Sequence, residues 1–177
     1  MDPVEEFLRI IAYTLYAYAP AMASNGAPVL LLRGRPIDMG CRFIDGKRIF
    51  GDGKTFEGMI LFLIFGTAVG GIYASYTQNI YNLLYGFLSG FGAFLGDLIG
   101  AFIKRRLDIP RGEPAPILDQ TGFLVIATLI IKISGVEKLV GFYIDLRIFI
   151  AGVLLVLILH IATNYGAYKL GLKKVPY

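Results

Sequence analysis

A helix-length apolar run over residues 79–103 carries Asp97 towards one end and stops at Lys104, Arg105 and Arg106. A stretch of about 20 such residues crosses the roughly 30 Å hydrocarbon core of a bilayer as a helix. There the backbone must satisfy its own polar groups, and a carboxylate needs a specific answer to its surroundings. Asp97 and Lys104 stand seven apart and so share one helix face, with Asp97 about 10 Å deeper along the axis. Ionisable residues at such a depth face a bundle interior or a wet cavity and mark a functional path, which makes Asp97 the first candidate site residue. The plainer alternative is an ion pair with Lys104 that only neutralises it.

Comparable runs near 4–24, 56–77, 117–134 and 146–168 predict an all-α integral membrane protein of about five transmembrane helices, one domain over 1–177. The 56% hydrophobic content and mean hydropathy of +0.66 exceed what a soluble domain carries. Pro20, Asn25, Gly26 and Pro28 interrupt the first apolar run, which predicts a broken or kinked helix lining a cavity. That run follows Asp2, Glu5 and Glu6, unlike the basic start of a secretory signal, so the segment is expected to stay as a span.

Basic residues set the expected orientation. Arg33, Arg35, Arg42, Lys47, Arg48 and Lys54 lie in loop 33–55, Lys104, Arg105, Arg106 and Arg111 in loop 104–116, and Lys169, Lys173 and Lys174 in the tail. Arg9, Lys132, Lys138 and Arg147 remain for the other side. Five spans with the N-terminus outside and the C-terminus cytoplasmic satisfy this distribution, with a polar cavity facing the cytoplasm of the cell membrane. The net charge of +4 is spread between apolar spans, which suits anionic lipid heads or phosphorylated substrates and not nucleic acid. Cys41 is the single cysteine, which excludes an internal disulfide and a cysteine zinc centre.

Glycines at 66 and 70, at 86 and 90, and at 92, 96 and 100 form small-xxx-small spacings for close helix packing, within one chain or between copies of an oligomer. Tyr73, Tyr76, Tyr81 and Tyr85 bracket the turn at Thr77-Gln78-Asn79, a placement expected at the headgroup level.

The chemistry collects in the basic loops. Gly51-Asp52-Gly53-Lys54-Thr55 offers backbone N–H groups, a point charge, a hydroxyl and the start of a helix, a combination suited to phosphate. It is no P-loop, because Arg48 stands where that pattern needs glycine and no buried strand precedes it. A glycine-rich turn with ordinary loop charge explains the same residues. In the third loop Asp119 begins a span, either as a helix N-cap or as the partner of Asp97 in holding Mg²⁺. Magnesium takes one or two carboxylates and fills its octahedron with water and substrate phosphates, an arrangement that nucleotidyl transfer requires. His160 and Asn164 share one face of the last span and are expected to face protein, as packing or site residues.

The segments Asp38-x-Gly40, Gly51-Asp52-Gly53-Lys54-Thr55, Gly96-Asp97, Lys104-Arg105-Arg106, Arg111-Gly112, Pro116-x-Leu118-Asp119-Gln120 and Lys173-Lys174-Val175-Pro176-Tyr177 resemble the CDP-archaeol synthase family over essentially the whole chain. The Gly-Asp…Lys-Arg run with a later Asp is more distantly similar to the signature of phosphatidate cytidylyltransferases, whose two metal-binding acidic positions match Asp97 and Asp119. The chain lacks that family's His-Gly-Gly segment. The resemblance implies transfer of a cytidylyl group from CTP to 2,3-di-O-geranylgeranyl-sn-glycerol 1-phosphate, an unsaturated archaeal ether lipid phosphate, with Mg²⁺ as cofactor. It implies catalytic roles for Asp97, Asp119 and Lys104, phosphate clamping by Lys54, Thr55, Arg105, Arg106 and Arg111, and a site lined by Asp38, Asp52 and Asn25. The alternatives are a cytidylyltransferase for another lipid phosphate and, in a different class, a small anion carrier or channel.

Overall fold

The structure is a computed structural model that describes residues 2–30, 33–115 and 117–171. Pro116 and the Lys173–Tyr177 motif lie outside the described residues, as does the side chain of Asn164. Among the described residues the regular structure is helical: α1 (Pro3–Gly26), a 3₁₀ turn (Ala27–Leu30), α2 (Phe56–Thr77), α3 (Tyr81–Arg106), α4 (Leu118–Ser134), the short α5 (Val136–Val140) and α6 (Leu146–Lys169). The five long helices fall on the five expected runs. Among the described residues three segments, Phe56–Thr77, Tyr81–Arg106 and Leu146–Thr163, are long and apolar enough to cross a membrane. By contrast α1 opens with Glu5 and Glu6 in its first turn, and α4 has 17 residues.

The α1 helix passes through Pro20 and ends at Gly26, so the expected break lies later than the proline. A proline forfeits one ladder bond. Here Ala17, Tyr18 and Ala21 around it are all buried, and packing against neighbouring helices compensates the loss.

Glycines let α3 lie in the centre. A Cβ built on Gly66 would stand 2.5 Å from the Gly86 carbonyl oxygen, and Gly70 and Gly86 meet backbone of the opposing helix still more closely. On the other side of α3, a Cβ on Gly92 would approach Ala127 Cα to 2.5 Å and one on Gly96 would approach the Gly122 oxygen to 2.6 Å. The α2–α3 and α3–α4 seams are therefore backbone on backbone, as the small-residue spacing predicted. Around them pack Phe62, Tyr85, Phe94, Phe123, Leu124 and Ile131.

The tyrosines divide. Tyr76 and Tyr81 are exposed as expected of an interfacial belt, but Tyr85 is fully buried and donates to the Ala17 carbonyl at 2.9 Å. Tyr73 stacks on Tyr16 at 4.4 Å, and Tyr16 donates to the buried Asn82 at 2.7 Å. Tyr85 points inward because it lies one turn from Asn82 and Ser89 on the buried face of α3.

Loop 33–55 folds back over one end of the bundle. The Ile37 N–H donates to the Lys54 carbonyl at 2.8 Å and the Phe56 N–H to that of Arg35 at 3.0 Å, so the two ends of the loop run side by side. Its centre is Asp38, whose side chain has no exposed surface. Asp38 accepts from Arg48 at 2.6 and 3.2 Å, and from the N–H groups of Gly51 at 2.8 Å, Phe50 at 3.0 Å and Gly40 at 3.2 Å. Gly51 turns the chain there at φ 86°, a conformation that side chains disfavour. Burial alone would raise the Asp38 pKa; Arg48 and the three N–H groups outweigh it and hold the carboxyl well below its ordinary range.

Two consequences follow for stability. Replacing Gly86 by Val drives a side chain into the Gly66 carbonyl and is expected to lower stability in detergent by at least about 2 kcal/mol. Gly166→Ala, where nothing lies within 4 Å, should be neutral or stabilise by up to about 1 kcal/mol. Asp38→Asn should cost about 2 kcal/mol at neutral pH. Because the folded pKa of Asp38 is lowered, its contribution is complete above the unfolded carboxylate value near 4 and fades as pH falls through the folded value. Denaturation midpoints of wild type and Asp38→Asn should therefore converge as the pH is taken down from 7 towards 3.

Candidate active site

The C-terminal end of α1, the start of α2, the last turns of α3 and the start of α4 meet at the end of the bundle that loop 33–55 covers. Two adjoining cavities open there. One, of about 400 Å³, is lined by Arg33, Asp52, Lys54, Thr55, Met59, Phe62, Phe94, Asp97 and Arg111, with Pro28, Gly34, Pro36, Gly53 and Gly58. The other, of about 290 Å³, is lined by Asn25, Lys54, Asp97, Lys104, Arg105, Arg111 and Asp119, with Phe50, Leu118, Phe123 and backbone glycines. Gly53, Lys54, Asp97 and Arg111 border both.

Helix geometry explains why these groups meet. Lys54 ends the covering loop, and Thr55 caps α2 by accepting from the Gly58 N–H at 3.0 Å. Asp97 lies on the same side of α3 as Gly100 and Lys104, and the α3–α4 approach at Gly96 and Gly122 brings the start of α4 beside it. Lys104, Arg105 and Arg106 occupy the last turn of α3, where cations complement the helix dipole.

The ion pairs differ from the simplest expectation. Asp97 pairs with Lys54 at 2.6 Å, not with Lys104. Lys104 instead donates to Asp119 at 2.8 Å and to the Glu113 carbonyl at 2.6 Å. Asp119 is not the cap of α4, a position held by Ile117 at φ 70°. It lies in the first turn and accepts from the Ala115 N–H at 2.8 Å, which fixes the end of the preceding loop. A lysine reaches several neighbours, and the folded loop puts Lys54 nearer to Asp97 than the helical spacing alone puts Lys104.

Five more of the expected phosphate or lining residues border the cavities, and their engagement with the rest of the chain differs. The side chains of Arg111 and Asn25 make no hydrogen bond or ion pair to the described residues. Arg105 donates to the Ile109 carbonyl at 2.6 Å and still lines the second cavity. Asp52 lines the first cavity, mostly exposed, and pairs with Arg48 at 2.9 Å. Thr55 lines it too, with its oxygen already engaged as a cap.

Two expected site residues lie elsewhere. Asp38 is sealed inside the loop by its five donors and borders neither cavity. Arg106 turns away to pair with Asp45 at 2.7 Å, donates to the Arg48 carbonyl, and stacks over Phe43 and Phe102 at 5.1 and 4.6 Å. Both residues clamp the covering loop, a use of charge that sequence spacing does not separate from phosphate binding. His160 borders neither cavity and is half-buried on α6, and Cys41 is exposed in the loop.

Sequence reasoning passed over Arg33, which it read only as an orientation charge, and the apolar wall of Met59, Phe62 and Phe94. Those apolar residues gave no signal, since lipid-facing and cavity-facing side chains share one composition in a membrane helix.

Among the described residues no group of three or more His, Cys, Asp or Glu side chains gathers as a metal site. Asp97 and Asp119 line one cavity together, and two carboxylates among Lys54, Lys104, Arg105 and Arg111 fit the sparse protein ligation that magnesium accepts.

A CDP-archaeol synthase of Sulfolobus acidocaldarius is 44% identical over 165 residues, 92% of this chain and 96% of that protein. One of Saccharolobus islandicus is 47% identical over 171 residues, 94% and 99% of the two chains, and one of Sulfurisphaera tokodaii is 42% identical over 173 residues, 96% and 100%. A solved structure described as an intramembrane enzyme for archaeal membrane lipid biosynthesis superposes with a TM-score of 0.73 at 37% identity, covering 85% of this chain and 91% of that one. The sequence pattern of the CarS-like group, described as CDP-archaeol synthase, matches residues 7–177, and with these relatives it establishes that the chain belongs to the CDP-archaeol synthase family.

Proposed function

We propose that this membrane-integral protein transfers a cytidylyl group from CTP to 2,3-di-O-geranylgeranyl-sn-glycerol 1-phosphate, releasing CDP-archaeol and pyrophosphate. The observation that carries the reading is the convergence of Asp97 and Asp119 with Lys54, Lys104, Arg105 and Arg111 on adjoining cavities at one end of an apolar bundle. The substrates bring about six negative charges between them, which calls for several cations and a divalent ion in one place.

A phosphate oxygen of the lipid attacks the α-phosphorus of CTP, the bond from that phosphorus to the bridging oxygen breaks, and pyrophosphate leaves. No carboxylate base is needed, because the lipid phosphate is already anionic near pH 7. Lys54 and Arg111, which border both cavities, hold the two reacting phosphates against each other. Lys104 and Arg105 take oxygens of the departing pyrophosphate, whose charge grows as the bond breaks. Asn25 offers a polar contact in the same cavity. The apolar wall of Met59, Phe62 and Phe94 suits the first few carbons of a lipid substrate. Asp97 and Asp119 would hold magnesium, which would supply Lewis-acid stabilisation of the charge that grows on the leaving group.

We place five helices, α1–α4 and α6, across the membrane with the cavities facing cytoplasmic CTP, because the loops around them carry most of the basic residues. A carrier is disfavoured by what lies behind the cavities. Phe62, Phe94, Phe123 and Leu124 fill the bundle there and are buried, leaving an apolar plug in place of a polar path.

Detergent-purified protein given CTP, Mg²⁺ and the geranylgeranyl ether lipid phosphate should release pyrophosphate, and EDTA should abolish it. Asp97→Asn and Asp119→Asn should each lower kcat by at least about 100-fold. Normal Mg²⁺-dependent turnover by Asp97→Asn would remove the metal assignment, and release with a diacyl lipid phosphate at equal rate would broaden the substrate.

A further inference from the structure

Each carboxylate of the pair assigned to magnesium is closed by a lysine. Lys54 Nζ donates to Asp97 Oδ1 at 2.6 Å, and Lys104 Nζ donates to Asp119 Oδ2 at 2.8 Å. An ammonium at that distance competes with a divalent cation for the same oxygen lone pairs and repels it. The same two lysines border the cavities that receive phosphates. Neither role can be filled while the other is, if metal and phosphate occupy the site together.

We propose that Lys54 and Lys104 are exchange cations, a proposal that rests on the cytidylyl-transfer reading above. Each lysine holds its carboxylate until nucleotide and metal arrive, then passes its ammonium to a phosphate oxygen as the metal takes the carboxylate. Charge stays paired throughout, so neither the part-buried Asp97 nor the more exposed Asp119 is left bare at the end of an apolar bundle. Lysine suits the exchange because its ammonium is a compact point charge on a four-carbon stem that swings between partners. Arg105, tied to the Ile109 carbonyl at 2.6 Å, and Arg111, which pairs with no described carboxylate, do not stand in this position.

The consequence is thermodynamic coupling. Metal alone binds weakly because it must displace an ammonium that then has no anionic partner, and nucleotide supplies one. By linkage, the factor by which CTP tightens metal binding equals the factor by which metal tightens CTP binding.

The test measures Mn²⁺ binding by electron paramagnetic resonance and CTP binding by calorimetry, separately and together, on the whole detergent-solubilised chain without lipid. Lys54→Met and Lys104→Met should each bind Mn²⁺ alone about five-fold more tightly, the equivalent of a part-buried ion pair near 1 kcal/mol. The same variants should bind CTP about ten-fold more weakly, so the two affinities move in opposite directions and the coupling factor shrinks. Lost packing or partial unfolding would weaken both together. Arg111→Met removes a cation from the same cavities without uncovering a carboxylate, and should weaken CTP while leaving Mn²⁺ alone within about two-fold.

The proposal is overturned if both lysine variants bind Mn²⁺ alone no more tightly than the unsubstituted protein, or if Arg111→Met tightens Mn²⁺ as much as they do. Failure of the unsubstituted protein to bind Mn²⁺ even with CTP present would instead overturn the metal assignment on which the exchange rests.

Discussion

The close approach of α3 to α2 and α4 is the constraint on which the rest depends. Where Gly66 and Gly70 meet Gly86 and Gly90, and where Gly92 and Gly96 meet Gly122, Phe123 and Ala127, no side chain separates the backbones. In lipid there is little hydrophobic gain from bringing helices together, so contact over a long seam must supply the association. The same seam sets the chemistry. Asp97 follows Gly96 directly, and Asp119 lies just before Gly122, so the packing that joins α3 to α4 also brings the two carboxylates to one cavity.

A second constraint is the knot around Asp38. The loop from 33 to 55 has hardly any regular structure, only isolated bridges at Pro36–Thr55 and Arg42–Arg48. A buried carboxylate taking five hydrogen bonds does for this loop what a sheet ladder does elsewhere, because each donor it satisfies fixes one more stretch of chain. Lys47 and Arg106 then tie the loop to the end of α3, through Asp108 and through Asp45 and the Arg48 carbonyl. The effect is to hold Gly51, Gly53 and Lys54 above the cavity, so residues remote from any phosphate govern where Lys54 sits.

How far the sequence discloses this varies with the kind of information. Helix positions were legible, since apolar runs of membrane length admit few alternatives; α2 lies over 56–77 as read. The glycine seams were legible because the four-residue spacing has one physical use. The pairing of charges was not. Asp97 and Lys104 share a face, yet the partner of Asp97 comes from a loop 43 residues earlier in the chain. The same limit left the partners of Asp38 and Arg106 unread, because a charged residue in a basic loop reads alike whether it binds a ligand or binds the loop. Pro20 illustrates the converse: α1 runs on through it to Gly26, where burial among neighbouring helices outweighs the local rule against proline.

The electrostatic state of the cavities follows from these two constraints together. Lys54, Lys104, Arg105, Arg111 and Arg33 outnumber Asp97, Asp119 and Asp52 around them, so the site attracts anions even with every carboxylate paired. Phe62, Phe94 and Phe123 close the inner side, which lowers the dielectric behind the charges and strengthens their hold on a phosphate relative to open water. A site placed deeper would have to desolvate a nucleotide triphosphate completely, and one on the loop surface would be screened by salt. The end of the bundle, roofed by the loop that Asp38 holds and floored by aromatic rings, lies between these limits, as the proposed meeting of a lipid phosphate with a soluble nucleotide requires.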